Sequence, residues 1–384
     1  MKIGIHDIAA ATGSLVLDLS ELAEHKSVDL AKFQKGLGQY EMSVTSSDED
    51  IVTLAATAAK QIIDRHGADN IRTILFATES GVDQSKAAGV FMHGLLGLPG
   101  NCRIVELKEA CYSATAALQF AAGIIARKPH ERVLVIASDT ARYELDSGGE
   151  PTQGSGAIAM LVSKDPAIYE FEDASGLWSA DVMDFWRPND RSTALVDGHY
   201  SMQVYLDSLE HAWEDFLQNG GANFEDIHTI CYHQPFTKMA IKAHTKLAEI
   251  CEIENVEDTL TSLEPTLIYN RRLGNSYTAS VFFAFLSLLD NSDDLTDERI
   301  ALFSYGSGAV AEIFTGLVVQ GYEKHLRKEE NQKMLDSRKH IKYEEYRKRH
   351  IDFDRVGDFV NAEETPGKYR YAGVFNSERT YRKK

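Results

Sequence analysis

An internal repeat narrows the folds that this chain can adopt. The segment GSGAIAMLV at residues 154–162 returns as GSGAVAEIF at residues 306–314, 152 positions later. Upstream of both copies, three further pairs of segments match: ERVLVIASD (131–139) with ERIALFSYG (298–306), CYSATAALQFAAGI (111–124) with NSYTASVFFAFLSL (275–288), and TILFATES (73–80) with TICYHQPF (229–236). Two halves with the same order of segments predict a duplicated, pseudo-two-fold fold.

The segments of each half alternate between strand-like and helical patterns. TILFAT (73–78), VLVIAS (133–138) and AIAMLVS (157–163) are short, apolar and bounded by turn-forming residues, as buried strands are. Residues 50–66 and 113–128 between them have the length and apolar spacing of helices. This order predicts a layered α/β architecture, with one half at residues 1–165 and the other at 166–321.

Residues 322–384 differ in character from the two halves. They hold 17 Lys and Arg against 12 Asp and Glu, whereas the whole chain has a formal charge of −18. The first part of this region is helical in pattern but has no continuous apolar stripe. Its nine aromatic residues argue against simple disorder. We expect a charged helical extension that packs on the core near a subunit contact.

Charge and cysteine content limit the classes of function. A formal charge of −18 over 384 residues disfavours binding to nucleic acid or to an anionic membrane surface. No stretch of 18 apolar residues predicts a transmembrane helix, and the first residues, MKIGIHDIAAATG, lack the apolar core of a signal peptide. Four cysteines without CxxC spacing predict neither a disulfide framework nor a zinc site. The expected compartment is the reducing cytoplasm.

Cys111 is the first candidate for a chemical role. It stands just before the helical run SATAALQFAAG, and the unpaired N–H groups and dipole of a helix N-terminus favour a thiolate. A thiolate is a nucleophile whose natural acyl product is a thioester. The alternative is an inert buried cysteine, which is common among small apolar residues.

Two further candidates follow predicted strands. His233 follows TICY, at the kind of strand end where α/β folds bind ligands, and its neutral imidazole can orient a thioester carbonyl or relay a proton. Glu79 closes the run TILFAT, where partial burial raises a carboxyl pKa and suits the group to proton transfer. The alternatives are a structural histidine and a glutamate that caps a helix or pairs with a cation.

Asn275 occupies the position in the second half that Cys111 occupies in the first. It could hold a carbonyl group or simply cap the following helix. The backbone N–H groups of the GSG turns could form an oxyanion hole together with the N–H of Cys111. A cysteine, an imidazole, an amide and a carboxylate on a duplicated frame favour acyl transfer with carbon–carbon bond formation over proteolysis, because a cysteine protease needs no carbanion base.

The sequence also resembles a known family, from the N-terminus to about residue 330. The matching segments are TES (78–80), KEACYSATAALQ (108–119), SGGEPTQGSGAIAML (147–161), DFWRP (184–188), VDGHYS (196–201), NRRLGNSYTAS (270–280) and SYGSGAVAE (304–312). On these segments the chain is similar to the bacterial-type 3-hydroxy-3-methylglutaryl-CoA (HMG-CoA) synthases of the thiolase superfamily. The resemblance implies a five-layered αβαβα fold and a homodimer, with CoA thioesters as substrates and neither a separate cofactor nor a metal.

The resemblance further implies a reaction and a role for each matching residue. The family condenses acetyl-CoA with acetoacetyl-CoA and water to give HMG-CoA and free CoA, on the mevalonate route to isoprenoids. Cys111 would carry the acetyl group, Glu79 would act as general acid and base, and His233 would polarise the acetoacetyl carbonyl. The residues expected to contact the substrates are Thr152, Ser201, Lys242, Asn275 and Ser307.

Three alternatives stay open on the sequence. A polyketide β-branching synthase uses the same chemistry on acyl groups bound to a carrier protein, and would prefer that donor to a CoA ester. A ketoacyl synthase III-like enzyme condenses with Cys, His and Asn and needs no carboxylate at position 79. A non-catalytic thiolase-fold protein would bind acyl-CoA or a protein partner without acylation of Cys111.

Overall fold

The structure, a computed structural model, describes all 384 residues. Its strands are β1 (Ile3–Thr12), β2 (Leu15–Asp18), β3 (Glu41–Val44), β4 (Ile71–Ala77), β5 (Arg103–Leu107), β6 (Arg132–Thr140), β7 (Ser155–Lys164), β8 (Tyr169–Ser179), β9 (Phe185–Trp186), β10 (Leu195–Val196), β11 (Thr229–Tyr232), β12 (Arg299–Gly306), β13 (Val310–Val318), β14 (Lys339–His340), β15 (Phe359–Val360), β16 (Tyr369–Phe375) and β17 (Glu378–Lys383). Its α-helices are α1 (Leu19–Lys26), α2 (Ala31–Gln34), α3 (Ile51–His66), α4 (Ala88–Leu96), α5 (Ser113–Arg127), α6 (Gly198–Gln218), α7 (Thr237–Ile250), α8 (Val256–Leu273), α9 (Ser280–Asn291), α10 (Lys328–Asp336) and α11 (Tyr343–Asp352). None of these helices combines the length and the apolar character needed to cross a bilayer.

In the first half, the three strands and two helices predicted from the sequence all form, with ends within two residues of those expected. Helix α3 begins at Ile51 because the Asp50 carboxylate accepts hydrogen bonds from the backbone N–H groups of Val52 and Thr53. Helix α5 has no side-chain cap and begins at Ser113. The preceding Cys111 therefore lies at a helix N-terminus, as predicted.

Nine central strands form two half-sheets of the same topology. In the first half the order is β1-β7-β6-β4-β5, in which β1–β7 and β7–β6 are antiparallel and the other pairs are parallel. In the second half the order is β8-β13-β12-β11, again with two antiparallel pairs followed by a parallel one. The repeat segments occupy equivalent strands, which confirms the duplicated fold. The half-sheets join where Gly4 and Ile5 of β1 pair with Glu170 and Tyr169 of β8.

Burial divides the helices among three layers around the two half-sheets. Helices α5 and α9 share the largest apolar cluster with one face of both half-sheets, including Val135 and Leu302. Helix α3 covers the opposite face of the first half-sheet, with Ile136, and helices α6 and α7 cover that of the second, with Phe303. Because neighbouring strand residues point to opposite faces, this burial pattern gives the expected five layers, αβαβα.

The two GSG turns recur because each packs against the opposite half. A Cβ on Gly154 would lie 2.4 Å from the carbonyl oxygen of Leu273, in the segment that precedes α9. A Cβ on Gly306 would lie 2.6 Å from the carbonyl oxygen of Glu109, in the segment that precedes α5. The first turn thus contacts the backbone at Asn275, and the second contacts Glu109 and Tyr112 on either side of Cys111. A side chain at either glycine would push the two halves apart.

The C-terminal extension is only partly helical. Helices α10 and α11 form, but β15, β16 and β17 make a three-stranded antiparallel sheet, so the predicted helical extension is wrong for residues 359–383. Aromatic residues account for this sheet. Tyr369 is buried in the α3 cluster, and the hydroxyl of Tyr381 donates to the Asp50 carboxylate at 2.5 Å. Anchoring against the start of α3 therefore favours strands there over another charged helix.

Candidate active site

Cys111 lies between the two halves, in the turn that leads into α5. Its side chain is 6% exposed, and the preceding Ala110 has a φ of +40°, a conformation that residues other than glycine seldom adopt. The next residue, Tyr112, donates its hydroxyl hydrogen to Glu312 of β13 at 2.7 Å. The start of the helix is thereby tied to the second half, which fixes where the thiol points.

The Cys111 thiol contacts Glu79, since its Sγ donates to Oε2 of that carboxyl group at 3.3 Å. Burial, and then the charge of Asp139, raise the pKa of Glu79 to about 8. Burial, and then the charge of Glu79, raise the pKa of the Cys111 thiol well above its usual value. The expectation that the helix N-terminus favours a thiolate is therefore wrong for the free protein, because burial and the neighbouring carboxyl group outweigh the helix dipole.

Asp139, at the end of β6, holds the Glu79 loop and was missed in the sequence. One of its oxygens accepts hydrogen bonds from the hydroxyls of Thr78 (2.7 Å) and Ser80 (2.8 Å) and from the backbone N–H of Glu79 (2.9 Å). The other accepts from the hydroxyl of Thr278 at 2.6 Å. This fully buried carboxylate joins both halves behind Glu79. Its place at the end of the apolar strand next to β4 was the signal available in the sequence.

Three aromatic rings surround the thiol. Tyr143, Phe185 and Tyr277 form one buried apolar cluster with Cys111, and their ring centroids lie 5.7 to 6.4 Å apart in edge-to-face contacts. We call these rings the Cys111 cage. The thiol is buried in this cluster, and burial is the first cause of its raised pKa. None of the three rings was a candidate in the sequence.

His233 follows the last residue of β11 and is buried. Its backbone N–H donates to the carbonyl oxygen of Phe303 at 2.8 Å, which continues the β11–β12 pairing, and Tyr205 donates its hydroxyl hydrogen to the His233 carbonyl oxygen at 2.8 Å. Burial lowers the pKa of His233 to about 3, so the imidazole is neutral at physiological pH, as expected. Its Nδ1 atom is buried without a hydrogen-bond partner.

The strand registers relate the two candidate strand ends. Phe76 pairs with Ile136 in the first half, and Tyr232 pairs with Phe303 in the second. His233 therefore corresponds to Ala77, and Glu79 lies two residues farther along the equivalent loop. Both side chains project from the carboxyl ends of equivalent strands, where the repeat predicted that they belong.

Asp184 accepts hydrogen bonds from three groups of the second half near the site, and it was missed in the sequence analysis. Its Oδ2 accepts hydrogen bonds from the hydroxyls of Tyr305 at 2.7 Å and Ser201 at 3.1 Å. Its Oδ1 accepts from the backbone N–H of Gly308 at 3.0 Å. The Ser201 hydroxyl is thus bonded to a buried carboxylate. The sequence signal was weak, because Asp184 lies in an irregular segment that follows no predicted strand.

Thr152 and Asn275 come together across the two halves. The backbone N–H of Asn275 donates to the Thr152 carbonyl oxygen at 2.7 Å, and both side chains lie beside the Tyr143 hydroxyl, whose pKa is raised mainly by burial. The Asn275 Oδ1 accepts from the backbone N–H of Tyr277 at 2.9 Å, a local turn contact that holds the amide group in place. Ser307 lies in the second GSG turn, beside Tyr305.

Lys242 stands apart from these residues, on α7. Its Nζ lies 3.3 Å from the sulfur of Met202 and 5.6 Å from the ring centroid of Phe236. Lys238, one turn earlier, donates to the Lys35 carbonyl oxygen at 3.0 Å. Helix α7 begins four residues after His233, so these lysines form a positive rim near one side of the site rather than part of the cage.

Comparisons with known proteins indicate one family. The N-terminal model of hydroxymethylglutaryl-coenzyme A synthase matches residues 1–167, and the C-terminal model matches residues 170–261 and 253–353. The chain is 41% identical to hydroxymethylglutaryl-CoA synthase of Enterococcus faecalis, with 100% of both chains covered. It is 35% identical to the polyketide biosynthesis 3-hydroxy-3-methylglutaryl-ACP synthase PksG of Bacillus subtilis (strain 168), over 90% of this chain and 87% of that protein.

A solved structure agrees with the sequence matches. The crystal structure of an HMG-CoA synthase complexed with CoA superposes with a TM-score of 0.95 at 40% identity, and 100% of both chains is covered. The likeness therefore includes both halves and the C-terminal extension. On these matches, the chain belongs to the hydroxymethylglutaryl-CoA synthase family, with its thiolase-like fold.

Proposed function

We propose that this protein is a hydroxymethylglutaryl-CoA synthase, which condenses acetyl-CoA with acetoacetyl-CoA and water to give HMG-CoA and CoA for the mevalonate route to isoprenoids. The observation that carries the proposal is the contact of 3.3 Å between the Cys111 thiol and the Glu79 carboxyl group. A ketoacyl synthase III-like enzyme would have no use for that carboxyl group. The 41% identity to the E. faecalis enzyme over the full chain supports the same reading.

In the first step, Cys111 carries the acetyl group. Its sulfur attacks the thioester carbon of acetyl-CoA, a new C–S bond forms, and the bond to the CoA sulfur breaks. The thiol proton passes to the departing CoA thiolate, so that free CoA leaves. With its pKa near 8, Glu79 can hold and release a proton close to physiological pH, which is what a general acid and base requires. No cofactor besides the CoA thioesters takes part.

In the second step, Glu79 forms the carbon nucleophile. The carboxylate removes a proton from the methyl group of acetyl-Cys111, and the carbanion attacks the C3 carbonyl carbon of acetoacetyl-CoA. Neutral His233 donates a hydrogen bond to the C3 oxygen and stabilises the alkoxide, which takes a proton from the acid form of Glu79. Water then attacks the thioester carbon on Cys111, so that HMG-CoA leaves and the thiol is restored.

The remaining predicted residues bind substrate in this proposal. Thr152 and Asn275 face the acyl groups beside the Tyr143 hydroxyl, and Ser201 and Ser307 lie on the Asp184 side. Lys242, on the rim formed by α7, attracts the CoA phosphates despite the net charge of −18, since a local positive charge acts over about 10 Å in salt solution. Free thiols at all four cysteines are consistent with the reducing cytoplasm as the compartment.

We further propose that the protein is a homodimer. Strand β5 is the outer strand of the first half-sheet, and it has no counterpart in the second half. Val105 on this strand is 40% exposed, and Phe120 on the neighbouring α5 is 54% exposed. An open strand edge flanked by apolar side chains is a surface that a second copy can cover by strand pairing.

A donor comparison tests the proposed function. Purified protein is incubated with acetoacetyl-CoA and either acetyl-CoA or an acetylated acyl carrier protein, and the hydroxymethylglutaryl product is quantified. We expect efficient synthesis from acetyl-CoA. Product from the carrier protein alone would instead assign the chain to polyketide β-branching, the activity that the name of its 35% identical relative describes. No product from either donor would leave a non-catalytic acyl-CoA-binding protein.

A further inference from the structure

Helix α11 belongs to the C-terminal extension, outside both duplicated halves, yet it holds one wall of the Cys111 cage. The backbone N–H of Tyr143 donates to Oε1 of Gln153 at 2.6 Å, and the Nε2–H of His350 donates to the Tyr143 carbonyl oxygen at 2.9 Å. Gln153 in turn donates through Nε2 to the hydroxyl of Tyr346 at 2.6 Å. Two residues of α11 thus hold the backbone of Tyr143: Tyr346 holds its N–H through Gln153, and His350 holds its carbonyl oxygen directly.

The neighbouring residue is clamped from both sides. The Arg142 guanidinium donates to the carboxylate of Asp354 at 2.6 Å and to the carbonyl oxygen of His350 at 2.7 Å, and it lies 4.3 Å from the ring centroid of Phe353. From the opposite direction, the backbone N–H of Arg142 donates to the hydroxyl of Tyr277 at 3.2 Å. Residues 142 and 143 are therefore fixed between the second half and the extension.

On one side, the Tyr143 ring packs so closely against the backbone that no side chain would fit between them. A Cβ on Gly149 would lie 2.4 Å from its Cδ1 atom, so the ring rests directly on that backbone. On the other side it packs in the cluster that contains Cys111. A shift of the Tyr143 backbone must therefore move the ring relative to the sulfur, and open a path for water to the group that the sulfur carries.

We propose that Tyr346 and His350 are positioning residues for Tyr143, and that through this ring the C-terminal extension protects the acetyl thioester on Cys111 from water. The inference rests on the proposed function, because it concerns the fate of acetyl-Cys111. When the ring shifts, water attacks the thioester carbon, the C–S bond breaks, acetate leaves, and the proton from water restores the thiol. Hydrolysis then competes with condensation.

The helix offers a matched control for this idea. Tyr343 is buried like Tyr346 and lies one turn earlier on α11. Its ring stacks on His25 at 3.9 Å, and its hydroxyl accepts a hydrogen bond from Arg347 at 3.2 Å. Tyr343→Phe therefore removes the same atom from the same helix without touching the chain of hydrogen bonds to Tyr143.

The test is the ratio of acetate released to HMG-CoA formed when acetyl-CoA and acetoacetyl-CoA are both supplied. This ratio does not depend on the fraction of folded enzyme, so a loss of stability alone leaves it unchanged. We expect Tyr346→Phe to raise the ratio about fivefold, the effect of one lost hydrogen bond on the position of Tyr143. His350→Leu should raise it at least as much, and His350→Gln, which keeps an N–H donor, should restore most of the wild-type ratio.

The outcomes separate this inference from the proposed function. A wild-type enzyme that makes neither acetate nor HMG-CoA would refute the proposed function. A wild-type enzyme that condenses normally would uphold it, and a ratio for Tyr346→Phe no higher than that for Tyr343→Phe would then overturn the role of α11. This includes an equal rise in both tyrosine variants, because the effect would then not pass through the contact with Gln153.

Discussion

Among single residues, Asp139 has two effects on Glu79: it holds the Glu79 backbone in place and it raises the pKa of the Glu79 carboxyl group. Asp139 fixes the backbone of the Glu79 loop at 2.9 Å, while its charge adds to burial in raising the pKa of Glu79 to about 8. A carboxyl group whose pKa is higher in the folded than in the unfolded chain makes folding less favourable as pH rises. The raised pKa of Glu79 therefore lowers the free energy of unfolding, and it also gives the site a proton donor and acceptor that works near neutral pH.

The substitution Glu79→Gln should raise the melting temperature, and by more at pH 8 than at pH 5. Between about pH 4.3, the ordinary glutamate pKa, and about pH 8, the folded protein retains a proton that the unfolded chain releases, so the free energy of unfolding falls as pH rises. Glutamine has no such proton. Scanning calorimetry at both pH values measures the difference, with the exposed Glu329→Gln as control. An equal gain at both pH values would contradict the raised pKa.

The substitution Asp139→Asn should lower the pH at which the acetyl methyl group of acetyl-Cys111 exchanges its protons. Asparagine keeps an oxygen that can accept the hydrogen bonds from the Glu79 loop, but it removes a negative charge that raises the pKa of Glu79. Deuterium uptake into the acetyl-enzyme, followed by mass spectrometry against pD, measures the midpoint. An unshifted midpoint would show that Asp139 acts through geometry alone, and exchange that persists in Glu79→Ala would exclude Glu79 as the base.

The sequence pointed to the candidate chemical groups but not to the residues that hold them in place. Cys111 stands at a recognisable helix start and Glu79 at a strand end, and the two side chains are in contact at 3.3 Å. Asp139 and Tyr143 act through contacts with segments far away in sequence, which no local pattern encodes. The thiolate prediction failed for the same reason, because burial by distant rings outweighed the local helix dipole.

At the scale of elements, the GSG turns show how the repeat builds the site. Each turn closes on the backbone just ahead of the opposite half's inner helix, with only the space of a glycine between them. The turns thus set the distance between the two strand–helix units that carry Cys111 and Asn275. Glycine at these positions follows from packing across the halves rather than from backbone conformation.

The substitution Gly306→Ala should destabilise the protein by about 2 kcal/mol, because an added methyl group would overlap the Glu109 carbonyl in a packed core. It should also slow acetylation, since the displaced backbone leads directly into Cys111. Urea unfolding and the rate of acetyl-adduct formation measure the two effects. Gly94→Ala, in open space on α4, is the control and should be neutral or stabilising. Wild-type stability and acetylation in Gly306→Ala would contradict the packing argument.

The C-terminal extension marks the limit of prediction for elements. The charged first part has a helical pattern and forms α10 and α11, whereas residues 359–383 form strands. The strands depend on contacts such as Tyr381 with Asp50, which only tertiary packing supplies. Propensity alone gives way where an aromatic side chain finds a buried partner.

At the scale of the whole molecule, the repeat predicted the architecture better than any local signal. Matching segments fell on equivalent strands of two half-sheets, and the one strand without a counterpart, β5, lies at an open edge. A strand present in only one of two duplicated halves is not needed to join the halves, so its exposed edge is available for another contact. We have assigned it to a second copy of the chain.

The substitution Phe120→Glu should therefore convert a dimer of the 42.7 kDa chain into monomers, because it places a charge in the apolar surface beside β5. Leu217→Glu, a similarly exposed apolar position on the outer helix α6, is the matched control and should leave the mass unchanged. Light scattering coupled to size exclusion measures both. A dimer that survives Phe120→Glu would place the contact elsewhere, and a monomeric wild type would refute the homodimer.

The intact mass of the protein after incubation with acetyl-CoA alone shows whether Cys111 is the acyl carrier. We predict one acetyl adduct on the wild type, none on Cys111→Ser, and a retained adduct on Glu79→Ala that acetoacetyl-CoA cannot discharge to HMG-CoA. An unmodified wild-type mass with acetyl-CoA, or an adduct that remains in Cys111→Ser, would contradict Cys111 as the acyl carrier.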